Sequence, residues 1–309
     1  MPIGVLQVDW KKELAKILSK PPLVNEPMSL HTSLRIGGPA EIFAEPQTYD
    51  ELRNILQLAC EHNLTLFVLG HGTNLLVKDE GIRGIVLSLH DLSSGCSFFD
   101  HRVRAGAAVS LSRLVREVAE RSLKGLEFAA GIPGSLGGAL YMNAGAFGSS
   151  IGELVREVVT LDYQGNYRVR TLEELDFSYR WSSFQSEKVI ILEGVLELEQ
   201  GRSSEIKRRI SENQEKRWAK HPQLPSAGSV FRNPPGNIAG RLVEGAGCKG
   251  MIVGGAEVSP QHGNFIVNKG NASAADVLTL INLVKQKVKD FYGLELELEI
   301  RVIGEKGSE

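Results

Sequence analysis

The sequence predicts an α+β protein of about two domains, and three observations lead there. Strand-length apolar runs and capped amphipathic helices follow one another irregularly, with hairpin-like pairs and no regular strand–helix–strand repeat. Glycine makes up 33 of 309 residues and is clustered, which calls for many demanding backbone turns. A length of 309 residues corresponds to about two domains at roughly 150 residues each.

Residues 9–19 read as a short amphipathic helix. Pro21 and Pro22 stop it, because proline lacks the amide donor and clashes with the preceding turn, and the main fold is expected to start beyond them. Residues 47–62 form a second helix, in which Thr48 and Glu51 have capping-box spacing and Leu52, Ile55, Leu56 and Ala59 share a face. A buried strand follows at 64–69, then an apolar run at 85–89, a helix near 110–121, and strands near 155–162 and 189–199. Residues 203–219, rich in Lys, Arg and Glu, are expected as a solvated connector or surface helix near a domain boundary. Pro, Gly, Ser and Asn then make loops of residues 221–240. The strongest helix spans 273–292, with Val277, Ile281, Val284, Val288 and Phe291 on one face and a Ser273–Asp276 capping box. Residues 294–303 alternate as a strand, with Leu294, Leu296, Leu298, Ile300 and Val302 opposite Glu295, Glu297, Glu299, Arg301 and Ile303.

A net charge of −2 gives no general reason to seek nucleic acid or anionic membrane, although a local basic pocket stays open. No apolar run reaches the roughly 20 residues that span a bilayer, and the first residues lack an export-signal pattern, so a cytoplasmic protein is expected. Cys60, Cys96 and Cys248 are odd in number and widely spaced, which disfavours a disulfide framework or a metal site. His262 has no neighbouring ligand set, and no metal is expected.

Chemistry concentrates in a few loops. Gly70-His71-Gly72-Thr73-Asn74 follows a strand, so bare backbone amides there can approach a phosphate, but the spacing matches neither GxGxxG nor GxxxxGK[ST]. The segment 131–148, with six glycines, reads as a long irregular backbone able to wrap an extended polar ligand, with Ser135 and Asn143 as candidate contacts. Two such loops fit one diphosphate-containing cofactor, without choosing among nucleotides. Ser229 has no nucleophile elbow around it, which disfavours a serine hydrolase. Arg180, set among apolar residues, either covers the core with its stem or, if buried, needs an anionic partner. Glu299 reads either as a solvated edge residue or as a functional carboxylate.

In combination, HTSLRIGGPA, GHGTNLLV, AAGIPGSLGGALYMNAGAFG, FSYRWSSF, PSAGSVFRNP, the GAGCKG, GGAEVS and HGNFIVN series and LELEIRVIG resemble the UDP-N-acetylenolpyruvoylglucosamine reductase family over residues 30–304. The resemblance implies a lead-in at 1–29, an FAD-binding region of the vanillyl-alcohol-oxidase (PCMH) type in two subdomains at 30–200, and a connecting helix at 201–219. An α+β substrate-binding domain at 220–305 follows, its last strand returning to the FAD region. It implies noncovalent FAD held by Gly70, His71, Gly72, Thr73, Asn74, Leu75, Gly131, Ile132, Pro133, Gly134, Ser135, Gly138, Ala139, Asn143 and Gly145.

By the same resemblance, NADPH reduces the flavin, and the flavin N5 then gives hydride to the vinyl carbon of the enolpyruvyl sugar nucleotide, yielding UDP-N-acetylmuramate for peptidoglycan synthesis. Ser229 is the implied proton donor, Arg180 and Glu299 hold the enol-like intermediate, and Arg232, Asn233 and Asn264 contact substrate, with Asn268 and the segment around Gly245 nearby. Cys248 and Arg241 depart from the family pattern. The short link from Arg180 to the strand at 189 leaves no room for a substrate-covering tyrosine loop, so other residues must clamp the substrate diphosphate. No nucleic acid, membrane or obligate protein partner is implied. Another FAD oxidase or dehydrogenase of the same fold, or a nucleotide-binding protein without turnover, are the competing readings.

Overall fold

The computed structural model describes residues 9–304, so residues 1–8 of the expected lead-in and residues 305–309 lie outside the described residues. A four-stranded sheet carries Leu23–Pro27, Pro39–Ala44, Ile82–Ser88 and Leu66–Leu69 in that order. Its first pair is antiparallel and the other two are parallel. Helix Tyr49–Glu61 makes the crossover from strand Pro39–Ala44 to strand Leu66–Leu69, so one parallel unit exists where the sequence pattern gave only hairpins. Ile82–Ser88 is buried along most of its length, as a strand covered on both faces should be.

Helix Trp10–Ile17 packs against this unit, and Leu14 is fully buried in one core with Leu52, Ile55 and Leu56. The fold therefore starts ahead of Pro21, contrary to expectation. Thr48 caps the helix by accepting from the Glu51 amide at 3.1 Å. The Glu51 carboxylate does not close the expected box. It accepts instead from the amides of Gln47 at 2.8 Å and Ser19 at 3.1 Å, which ties the two helices together.

A second, antiparallel sheet is ordered Tyr167–Thr171, Val155–Asp162, Val189–Glu197, Arg102–Gly106, Cys96–Phe99. Helices Leu111–Glu120 and Leu136–Met142 bury Leu114, Val118, Leu136 and Leu140 in its core. Helix Ser203–Trp218 is not a free connector. It buries Ile206, and Asn213 donates to the Glu127 carbonyl at 2.9 Å, fixing the helix to the first half of the chain.

The C-terminal helix Ala274–Tyr292 lies over strands Ile252–Val253, Ala256–Val258 and Ile266–Asn268. Val277, Ile281, Val284 and Val288 are buried as their spacing requires, but Phe291 is 68% exposed. Residues 294–303 are not one continuous strand. The inward set keeps its burial at Leu296 and Ile300, yet only Arg301–Ile303 forms a ladder, parallel to Leu75–Val77. The segment changes partners along its length: Arg232 N–H donates to the Glu297 carbonyl and Glu299 N–H to the Val230 carbonyl, before the chain crosses to strand Leu75–Val77. Among the described residues no helix is long and apolar enough to cross a membrane.

The two halves are also latched at a helix end. The amides of a first turn have no intrahelical acceptor and need external ones. Ser273 and Asp276 form the expected capping box. Asp79, 195 residues upstream, accepts from Ala274 N–H at 2.8 Å, and its second oxygen accepts from Ala275 N–H at 2.9 Å. Asp79→Ala is expected to cost about 1–2 kcal/mol, the range of a lost helix cap with a favourable dipole interaction. A thermal melt should show a lower Tm, and an unchanged Tm would show that the latch is not holding the helix.

Candidate active site

One cleft of about 1430 Å³ is walled by both glycine loops, by residues 226–229, and by Arg180, Glu299 and Arg301. Its first wall is the turn after strand Leu66–Leu69. Gly72 has φ +62°, and a Cβ there would lie 2.0 Å from the His31 carbonyl oxygen, so only glycine fits. The Thr73 hydroxyl donates to the Pro133 carbonyl at 3.3 Å and joins this loop to the second one.

The segment 131–148 is not irregular throughout. Ser135 caps a helix, Leu136–Met142, by accepting from Gly138 N–H at 3.3 Å, and Leu136 and Leu140 anchor that helix in the core. Gly131, Ile132, Pro133, Gly134, Ser135, Gly138, Ala139 and Gly145 line the cleft, as do Gly70, His71, Gly72, Thr73, Asn74 and Leu75. Ser135 turns its hydroxyl to the helix, so its wall contribution is largely main chain. The Asn74 side chain donates to the Glu299 carbonyl at 3.1 Å.

Asn143 is a correction: it is buried outside the cleft wall, donating to the Ser178 carbonyl at 2.7 Å and accepting from Gly152 N–H at 3.0 Å. Both ends of its amide are spent on backbone. What it holds is the hairpin of Phe177–Ser178 and Trp181–Ser182, whose tip carries Arg180 with φ +55°, a left-handed conformation that costs a non-glycine residue on the order of 1 kcal/mol.

Arg180, Ser229 and Glu299, far apart in sequence, all face this cleft. Arg180 Nε donates to Glu299 Oε1 at 2.6 Å and Nη1 to the Gly145 carbonyl at 3.0 Å. No hydrogen bond among the described residues engages its Nη2 or the Ser229 hydroxyl, so both remain available to a ligand. Glu299 is not on a solvated edge, since its side chain is only 14% exposed. Burial pushes its carboxyl above the ordinary carboxylate range, while Arg180 and then Arg232 pull the other way.

Arg232, Asn233 and Asn264 stand outside the cleft wall. Asn264 is buried, its amide closed on Phe231, donating to its carbonyl at 2.8 Å and accepting from its N–H at 2.9 Å. Its own carbonyl accepts from Val230 N–H at 2.8 Å, so Asn264 fixes the segment that follows Ser229. Asn233 accepts from Ala239 N–H at 3.0 Å, at the start of helix Ala239–Gly245, and Asn268 is likewise occupied with backbone. Arg232 has a buried Nε without a partner among the described residues and acts on Glu299 by its charge.

The cleft also uses residues that the sequence pattern did not single out. Lys216, Arg217, Lys220 and His221, at and beyond the end of helix Ser203–Trp218, line it, with Arg301 facing Tyr141. Arg217 Nε is buried without a partner among the described residues, and burial together with Arg180 lowers the affinity of its guanidinium for its proton. His221 packs 4.8 Å from Phe265, and burial beside Arg217 and His262 pushes its pKa down to about 4, so it is neutral near pH 7. The available signal was the run of basic residues 216–221 ahead of the loop carrying Ser229. A helical wheel of that segment reads only as solvated.

These features fit a flavin nucleotide. Bare amides and bridged glycine turns suit its diphosphate. Residues 40–169 match the FAD binding domain family, and residues 220–303 match the C-terminal domain of UDP-N-acetylenolpyruvoylglucosamine reductase. The UDP-N-acetylenolpyruvoylglucosamine reductase of Alkaliphilus oremlandii is 44% identical over 297 residues, 96% of this chain and 98% of that protein. That of Heliobacterium modesticaldum is 46% identical over 286 residues, 92% and 91% of the two chains. The crystal structure of the reductase from Thermus caldophilus superposes with a TM-score of 0.78 at 37% identity, covering 89% of this chain and 97% of that one. The chain thus belongs to the UDP-N-acetylenolpyruvoylglucosamine reductase family of FAD-dependent oxidoreductases.

Proposed function

We propose that this protein reduces the enolpyruvyl group of UDP-N-acetyl-3-O-(1-carboxyvinyl)-glucosamine to give UDP-N-acetylmuramate in peptidoglycan biosynthesis, with NADPH as the electron source, in the cytoplasm. The observation that carries the reading is the Arg180–Glu299 ion pair on the wall that also holds Ser229 and both glycine loops. Bound FAD would supply the two-electron relay, taking hydride from NADPH and giving it to the vinyl carbon. The loops at 70–75 and 131–145 are the residues we assign to holding it, the amide side chains of Asn74 and Asn143 excepted, with residues 30–200 as the flavin-binding part and 220–305 as the substrate part.

As hydride arrives at the vinyl carbon, negative charge develops toward the substrate carboxylate. Arg180 lines the cleft, its Nε and Nη1 are held by Glu299 and Gly145, and its Nη2 is the donor left for the substrate carboxylate. Such preorganised donors stabilise charge without reorganising during reaction. The Ser229 hydroxyl then gives its proton to the carbon next to the carboxylate. A serine is a weak acid, so this step relies on the basicity of the intermediate and on close placement. Arg217, Lys216 and Lys220 supply positive charge for the substrate diphosphate, the task for which this short-form chain has no tyrosine loop. The Arg232, Asn233 and Asn264 contacts are not carried forward.

Anaerobic addition of NADPH to the flavin-loaded protein should bleach the flavin, and the enolpyruvyl sugar nucleotide should restore its colour. Failure of that nucleotide to reoxidise the flavin, with rapid reoxidation by oxygen and consumption of an alcohol, would favour an oxidase. In stopped-flow measurements, Ser229→Ala should leave reduction by NADPH nearly intact and slow reoxidation about 10²–10⁴-fold, the usual worth of a positioned acid. Equal slowing of both half-reactions would remove Ser229 from the proton-transfer step. Arg217→Met should raise the KM for the sugar nucleotide about 10-fold or more, as expected for a lost charge-assisted hydrogen bond. An unchanged KM would clear Arg217 of anion binding.

A further inference from the structure

We infer that Asn74 is a positioning residue for Glu299, coupling the cofactor loop to the acid pair rather than contacting the flavin through its amide. The inference rests on the function proposed above. Three observations carry it. The Asn74 side chain points across the cleft seam and donates from Nδ2 to the Glu299 carbonyl at 3.1 Å, over a sequence separation of 225 residues. The Asn74 main-chain carbonyl accepts from Arg301 N–H at 2.9 Å, so this one residue grips the chain on both sides of Ile300. Directly after it, Leu75–Val77 pairs in parallel register with Arg301–Ile303, which makes Asn74 the first rung of the ladder joining the two segments.

The other face of Glu299 is held independently. Its N–H donates to the Val230 carbonyl at 2.8 Å, and its carboxylate accepts from Arg180. With the amide hydrogen held on the Ser229 side and the carbonyl held on the cofactor side, the peptide plane on each side of Glu299 is fixed, and the carboxylate is aimed at Arg180. Without the Nδ2 donor, the Glu299 carbonyl loses its only side-chain partner among the described residues, and the 299–301 turn can rotate about the remaining bonds. Misplacing a reacting group by about 1 Å costs on the order of 100-fold in rate.

The test compares Asn74→Ala and Asn74→Leu in the flavin-loaded full-length protein. Leucine keeps the branched shape and neutrality of asparagine while removing its amide, so it carries the test if the alanine variant fails to fold. Both variants should retain bound flavin, and reoxidation by the enolpyruvyl sugar nucleotide should slow about 10- to 100-fold, with flavin reduction by NADPH slowed far less. In a Glu299→Gln background, where the Arg180 ion pair is already gone, Asn74→Leu should add much less than it costs alone, because groups acting through one another are not additive. Equal costs in the two backgrounds, agreeing within about 2-fold as independent sites do, would overturn the inference. So would loss of flavin affinity with normal reoxidation once flavin is saturating, which would make Asn74 a flavin contact. Failure of the unaltered protein to use NADPH and the sugar nucleotide would instead remove the proposed function and this inference with it.

Discussion

Residue 299 is a junction of three chain segments, and the site depends on it. Its amide hydrogen is held by Val230, its carbonyl by Asn74 and its carboxylate by Arg180. Those partners come from the extended segment after Ser229, the first glycine loop and a hairpin tip. Hydrogen bonds of this kind have little net worth individually, about 1 kcal/mol. Their value here is geometric, because satisfying all of them at once leaves one relative placement for Ser229, Glu299 and Arg180. Two further asparagines extend the same device: Asn143 holds the hairpin behind Arg180, and Asn264 holds the segment after Ser229.

The charge of the cleft follows a second constraint. The chain as a whole is nearly neutral, at −2, yet the cleft gathers Arg180, Lys216, Arg217, Lys220 and Arg301 around the carboxylates of Glu299, Glu187 and Glu45. Arg180 and Arg217 are close enough to destabilise one another, and Arg217 leaves a buried donor unpaired among the described residues. Such an arrangement is costly without an anion. The same burial that raises Glu299 keeps His221 neutral, so the positive charge near pH 7 rests on the arginines and lysines.

Much of this was legible in the sequence because its signals are local. Thr48 and Ser273 cap their helices where the pattern puts them, and the strand at Val155–Asp162 has the expected limits. The glycine loops could be read as close-approach backbone, since Gly72 needs both a positive φ and space that a Cβ would fill. Amide side chains were harder, because an asparagine has the same donors and acceptors for a ligand as for its own backbone. Asn143 and Asn264, read as ligand contacts, are spent on backbone groups that only the tertiary fold brings near. Arg217 shows the converse failure, since periodicity cannot reveal that one arginine at the exposed end of a charged helix packs against Gly131 and buries its Nε. The final segment was misjudged as one strand because alternation reports burial and not the identity of the partner, which here changes midway.

The account stands on convergence of the three side chains around one substrate carbon. The most direct measurement is a crystal structure of the FAD-bound protein with the enolpyruvyl sugar nucleotide in place. The account predicts the Ser229 hydroxyl within proton-transfer reach of the carbon bearing the carboxylate, about 2.6–3.2 Å between heavy atoms or slightly looser before reaction, and Arg180 Nη2 on that carboxylate. An enolpyruvyl group bound away from Ser229, with Arg180 and Glu299 turned from it, would contradict the account.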